Sequence, residues 1–312
     1  MLTIIVRRLL LAIPTMIALT ALLFFTLTAL LGSPAAVMLG QDASPDAIQA
    51  LNARYGFDRP LYIQYFDWIA SAARGDFGRS HTTQQSVAST ILPCVPVTLE
   101  LAAIAILLAA LAAVFTNTLP AGRAILGPVV LGANLIGITV PNFMLGISLI
   151  FVFSVALGWL PSTGWTPWSS GLVEHVKHMI LPVVTLSAYY FGVFSIVYRA
   201  ELRDVEKRLF IQAARAKGIS RSRVAFRHAL PNAILPVITF VGLSMGQLTG
   251  GAVVTETLFS MPGTGRLLVS SIGSHDFPVM LAIAMMIVVG VVLMNLLADI
   301  AYTVANPQIR ID

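Results

Sequence analysis

Long apolar runs, separated by short charged stretches, dominate the chain. Six such runs are readable, from about Leu9 to Leu31, Val97 to Leu119, Leu126 to Leu160, Met179 to Tyr198, Ala233 to Val254 and Val279 to Val304. Each reaches the ~20 residues needed to cross about 30 Å of hydrocarbon. In lipid such segments must be helices, because their backbone groups find no other partners. The third run is long and contains Pro141. The pattern predicts an all-α integral membrane protein with six transmembrane helices. The first run resembles a signal peptide, with Arg7 and Arg8 ahead of it. It is longer than the usual apolar core of such a peptide and other spans follow, so it is expected to be retained.

The polar segments carry the remaining information. Residues 32–96 are too long for a simple connection and are expected to form a small helical unit. In "SPDAIQALNARYG", Ser44 is a candidate N-cap, Pro45 suits the first helical position and Gly56 suits the stop. "RPLYIQYFDWIASAARG" places Leu61, Gln64, Tyr65 and Trp68 on one helical stripe, an amphipathic helix for the membrane face or for its neighbours. From Arg199 to Ile211 the spacing of Leu202, Val205 and Leu209 continues the fourth span as a helix, with Asp204 and Arg208 as an i, i+4 pair. "QAARAKG" follows. Ala213, Ala214 and Ala216 favour helix and let another backbone approach, and Gly218 can take positive φ. Ser220 is a candidate cap for a second helix, and Pro231 marks the return toward the fifth span. Two short helices joined at a glycine are suited to fitting a groove on a soluble partner.

Composition sharpens this. Of the 312 residues, 57% are hydrophobic and 11% charged, against about 25% charged in soluble domains. A water-facing globule is excluded. The isoelectric point near 9.7 does not indicate nucleic acid, because the basic residues follow the topology. With the N-terminus in the cytoplasm, the inner pieces hold thirteen Lys and Arg residues, nine of them between Arg199 and Arg227, and the outer pieces hold six. Both termini and the 199–232 loop are therefore expected in the cytoplasm. The single cysteine, Cys94, can form neither an internal disulfide nor a thiolate cage.

Residues 212–231, "QAARAKGISRSRVAFRHALP", resemble the EAA loop of ABC importer permeases: the alanine pair is Ala213–Ala214, the glycine Gly218 and the later pair Leu230–Pro231. The motif's Glu is Gln212 here, so an ionic contact at that position is replaced by a neutral hydrogen bond or by nothing. "GFDRPLYIQYFDWI", "RGDFGRS", "TETLFSMPGTGRLL" and the terminal "NPQIR" extend the resemblance over nearly the whole chain, to the dipeptide, oligopeptide and nickel subfamily and its B-type subunit. The resemblance implies a type I ABC importer permease fold in three parts. These are residues 1–31 with the first helix, a periplasmic helical segment 32–96, and a permease core 97–312 containing the coupling loop 199–232. It implies a non-catalytic subunit of the bacterial inner membrane that works by alternating access. It also implies four kinds of partner: a second, C-type permease, two ATPase subunits that bind ATP and Mg, a solute-binding protein, and membrane lipid. This chain would bind no cofactor itself. The coupling residues carried over are Gln212, Ala213, Ala214, Gly218, Leu230 and Pro231.

No Gly-x-x-x-x-Gly-Lys-Ser/Thr sequence is present, so the chain has no P-loop. Polar residues within spans are candidates for the translocation path or for interhelical hydrogen bonds: Glu100, Asn142, Gln247, Gly250, Gly251 and Glu256. Asp299, near the inner end of the last span, reads as interfacial. His175 and His178 stand at i, i+3, but two ligands do not make a metal site. A gradient-driven transporter would show more intramembrane carboxylates and an inverted repeat, and a membrane enzyme a catalytic cluster at depth. Neither pattern is found. Short peptides head the substrate classes implied, with nickel or other metal chelates, glutathione and opines as alternatives.

Overall fold

A computed structural model describes residues 2–31, 35, 39, 44–119 and 127–305 of the chain. By contacts it separates into two compact units, one of Leu2–Thr98 and Pro262–Val292, the other of Leu99–Met261 and the chain from Leu293 onward.

The first unit begins with α1 (Leu2–Leu31), whose stretch Leu10–Ala29 is long and apolar enough to cross a membrane. α2 (Pro45–Tyr55) starts as its sequence predicts. The Ser44 hydroxyl accepts the Ala47 N–H at 3.3 Å, Pro45 opens the helix, and Gly56 closes it at φ 73°. α3 (Leu61–Ala72) follows Pro60. Its stripe is narrower than expected: Tyr65 is buried, Gln64 and Trp68 are half-buried, and Leu61 is exposed. The reason is one anchoring side chain. The Tyr65 hydroxyl donates to the Ile17 carbonyl at 3.0 Å and meets the Thr20 hydroxyl at 2.9 Å, which fixes α3 against α1. Phe24 and Leu281 close over the same ring. Val87 and Ile91 of α4 (Val87–Ile91) pack against Val279, Ala282 and Ile283. Full burial of such side chains is worth roughly 1.5–3 kcal/mol each.

In the second unit, the order along the chain is α5 (Cys94–Thr118, most of it here), α6 (Gly127–Thr139), α7 (Asn142–Ala156), α8 (Leu172–Glu206), α9 (Leu209–Ala216), α10 (Arg221–Ala233), α11 (Leu235–Gly251) and α12 (Val253–Leu258). Pro262 returns the chain to the first unit for α13 (Thr264–Gly273), and α14 (Phe277–Ala305) ends the described part. The third apolar run is not one helix. α6 and α7 meet at 117°, and α10 and α11 at 50°; among the described residues four helices are long and apolar enough to span, and up to six if each bent pair is one span. Pro141 explains the sharper break, since it lacks an N–H and disfavours helical backbone at Val140. α6 is 13 residues long, or ~20 Å, too short to cross alone.

The 35-residue α8 is the axis of this unit. Its contact with α6 is made at glycines. A methyl group on Gly137 would sit 2.2 Å from the Ala188 carbonyl oxygen, and one on Gly192 2.9 Å from that of Asn134. Small residues at helix crossings allow this approach where lipid supplies no hydrophobic drive. At one end of α8, Arg199 donates through Nε to Asn117 Oδ1, and Thr118 and Tyr198 share a hydroxyl hydrogen bond of 2.5 Å. Replacing Gly137 with Val must push backbone against backbone. We expect a loss of about 1–3 kcal/mol or more, read as a lower thermal midpoint in detergent, with Gly132→Ala, whose surroundings are open, close to wild type.

Candidate functional site

Two places in the second unit gather the residues singled out above. The first is the segment after α8. That helix runs without interruption to Glu206, and the chain turns at Lys207–Arg208, where Arg208 is extended (φ −67°, ψ 145°). This break overturns two expectations. Leu202 and Val205 are buried, but Leu209, expected on their stripe, is 81% exposed because the new helix turns it outward. The Asp204–Arg208 pair does not form either. Asp204 meets Lys207 at 3.2 Å and Arg208 meets Glu201 at 3.7 Å, since Arg208 has left the helix face.

α9 is amphipathic. Ile211 and Ala214 are buried and fix the helix, whereas Leu209, Phe210, Gln212 and Ala213 are exposed. Gln212 donates through Nε2 to the Lys207 carbonyl at 3.0 Å. A carboxylate there could only accept, so this bond is specific to the amide. Gly218 has φ 75°, and the Ile219 N–H returns to the Ala214 carbonyl at 3.3 Å, closing the helix in a Schellman-type stop. Ser220 stands at the next N-cap with extended backbone but makes no side-chain cap. Pro231 lies inside α10 and does not end it. The wide π turns at Val224–Ala229 precede it and relieve the clash a proline ring makes with the turn before. The bend to α11 comes three residues later, at Ile234. Two helices joined through Gly218 thus hold a small exposed face of Leu209, Phe210, Gln212 and Ala213.

The second place is the start of α8. His175 is buried, at 1% exposure. Its Nδ1 lies 2.6 Å from the Thr166 carbonyl and its Nε2 3.0 Å from Glu100 Oε1. Trp168 stacks on the ring at 3.9 Å, and Trp165 meets its edge. A carbonyl can only accept, so Nδ1 carries a proton, and the contact with Glu100 needs a second one on the imidazole or the carboxyl. The pair thus ties α5 to α8 through a shared proton under an indole lid. His178, read beside His175 as an interfacial pair, faces the Glu174 carbonyl through Nδ1 at 2.8 Å. Among the described residues no three His, Cys, Asp or Glu side chains are grouped to hold a metal.

The remaining path candidates are dispersed. Asn142 is half-buried on the first turn of α7, directly after the Pro141 break, and Gln247 is exposed on α11. Gly250 and Gly251 close α11. Glu256 has no exposed surface in the short α12. Asp299 lies on α14 with its side chain outside the described residues, as are Arg123 and the terminal "NPQIR". Sequence reading missed three features: the exposure of Leu209, the Asn117–Arg199 bond, and His175 as the partner of Glu100. The last two join residues 82 and 75 positions apart, and no local signal announces them.

Long apolar helices and bent apolar pairs define a polytopic membrane protein. Comparison with known proteins makes this specific. Residues 105–311 match the family described as binding-protein-dependent transport system inner membrane component, and residues 1–102 match its N-terminal model. The chain belongs to this family of ABC importer permeases. It is similar to a di/tripeptide transport system permease protein of Pseudomonas aeruginosa, 35% identical over 99% of each chain. It is also similar to a glutathione transport system permease protein of Escherichia coli, 37% identical over 99% of each, and to a putative peptide transport system permease protein of Brucella abortus, 34% identical over the full length of both. It is thus a multi-pass protein of the inner membrane and a membrane component of a transport system.

If Glu100 and His175 stabilise one another, Glu100→Ala and His175→Ala should each cost about 1–3 kcal/mol, because each leaves a buried polar partner behind. The double variant should lose clearly less than the sum of the two. Thermal unfolding of the four proteins measures the coupling.

Proposed function

We propose that this chain is the transmembrane permease of an ATP-driven importer of short peptides, with the segment 199–232 as its coupling loop on the cytoplasmic side. One observation carries the reading: Leu209, Phe210, Gln212 and Ala213 stand exposed on a helix whose other face is buried by Ile211 and Ala214. A docking partner that pushes on this face would act on the rest of the unit through those buried side chains. The partners proposed are two ATPase subunits, a second permease of the same family and a solute-binding protein. ATP binding and hydrolysis belong to the ATPases. The coupling residues are Gln212, Ala213, Ala214, Gly218, Leu230 and Pro231, and Leu209 joins them on its exposure. The charge asymmetry supports a cytoplasmic position for both chain ends.

Relatives named for di/tripeptides, peptides and glutathione support a short peptide as the solute, glutathione itself being a peptide. The path is proposed along Glu100, Asn142, Gln247, Gly250, Gly251 and Glu256. The break at Pro141 supports this, because a helix start in the membrane leaves backbone N–H groups beside Asn142 for a solute or for neighbouring helices. Glu256 would enter the path only when the helices move.

Two experiments test the reading. Native mass spectrometry of the gently extracted chain should show a second permease and two ATPases, and a chain that remains alone would remove the coupling role. Gly218 gives the sharper test. Its surroundings are open, so only its left-handed backbone is at stake. Gly218→Val should strain the loop by roughly 1–3 kcal/mol and cut peptide uptake by about tenfold or more while ATP hydrolysis continues. Gly218→Asn, which tolerates that backbone, should retain most uptake. Normal transport by the valine variant contradicts the loop assignment.

A further inference from the structure

The first unit contains a cavity of about 370 Å³ that none of the roles above uses. Its volume lies at the lower end of the ~300–1,000 Å³ typical of small-molecule sites. The inner wall is aromatic, formed by Phe24, Trp68 and Phe277, and the rim carries Arg59, Asp67 and Arg79. Two cations therefore face one anion. Arg59 meets Asp67 at 3.4 Å. Arg79 donates only to the Gln84 carbonyl, at 3.3 Å, and has no carboxylate partner among the described residues. Its charge is available to a ligand.

Three further observations show a built site. His81 lines the cavity, and its Nδ1 is buried without a hydrogen-bond partner. Its backbone N–H is held by Asp276 Oδ1 at 3.1 Å, and Asp276 also accepts the Ser80 hydroxyl. The backbone at His81 is thereby held beside Asp276. Burial holds the imidazole below its ordinary pKa of 6.5, against the opposing charge of Asp276, so the ring is neutral at pH 7. Gln64 spends its amide N–H groups on the carbonyls of Phe57 and Arg59, at 3.1 and 2.7 Å, and keeps its oxygen as an acceptor. Gln84 takes φ 60°, an uncommon conformation for a residue with a side chain, of the kind that clusters at ligand clamps.

We propose that this cavity binds a small apolar zwitterion, an α-amino carboxylate of the size of one residue to a dipeptide. The carboxylate would pair with Arg79, in the charge-assisted manner guanidinium favours. The ammonium would take Asp67 and the free oxygen of Gln64, and the apolar side chain would lie on Trp68 and Phe277. The site is separate from the proposed translocation path and does not depend on it, and its test needs neither ATP nor uptake.

The full chain, with the subunits that accompany it, is placed in phosphatidylcholine nanodiscs. Leucyl-phenylalanine and its C-terminal amide are titrated while tryptophan fluorescence is followed, and the Trp68→Phe variant supplies the background to subtract. The proposal predicts a saturable Trp68-dependent change with the dipeptide, and binding at least about tenfold weaker for the amide and for Arg79→Gln. Should Arg79→Gln fail to fold, the comparison of peptide and amide on the unaltered protein still decides. Absence of a saturable Trp68-dependent change overturns the proposal, as does equal binding of the amide. A Trp68 change produced by phosphatidylglycerol in the nanodisc, with none from the dipeptide, overturns it in favour of a lipid headgroup.

Discussion

Every peptide group at membrane depth must find its partner inside the protein, and the rest of this structure follows from where that demand is met and where it is relaxed. α8 runs for 35 residues, and Pro182 is the position inside it that donates no N–H. α6 can then approach α8 so closely that Gly137 has no room for a methyl group beside the Ala188 carbonyl. The close approach is possible because Gly137 and Gly192 carry no side chain at the crossing. Where the chain must change direction, it does so at Pro141 and at Lys207–Arg208. Both breaks sit beside residues for which a role is proposed: Asn142 at the first, Leu209 to Gly218 at the second.

The same demand explains how polar side chains are handled. His175 is nearly inaccessible, yet both ring nitrogens have partners, Thr166 and Glu100. Asn117 is buried and gives its amide to Ala113 and its oxygen to Arg199. Each arrangement bridges α5 and α8, so a motion of α8 relative to α5 must break or carry a polar bond at either end. Bonds to charged or desolvated groups are costly to leave unmade. These bonds favour the one arrangement of α5 and α8 described here.

Local chemistry was legible in the sequence and distant pairing was not. Ser44, Pro45 and Gly56 bound their helix as expected, because caps and stops are decided within four residues. Gly218 takes the left-handed turn for the same reason. The six apolar runs were visible from hydropathy, but the 117° bend within the third was not, since the presence of Pro141 does not fix the angle. The Leu202, Val205, Leu209 stripe misled because periodicity continues through a break that resets the helical phase. Glu100 was recognised as an unusual buried carboxylate, and its histidine partner was found only in the fold.

The exchange of the motif's Glu for Gln212 separates two ideas of what holds a coupling loop in its shape and in its groove. If an ionic contact to a partner were required, this position would have to keep its charge. Instead Gln212 turns its amide back on the Lys207 carbonyl and closes the turn from which α9 departs. The exposed contribution of α9 is then mostly apolar, Leu209, Phe210 and Ala213, with Arg215 held toward Glu206 at 3.8 Å. Apolar anchors that fill a pocket gain more on docking than rim charges do, because exposed ion pairs are worth little in water. In the proposed docking, shape and burial would therefore carry the contact, while the side chain at 212 bonds within the loop itself.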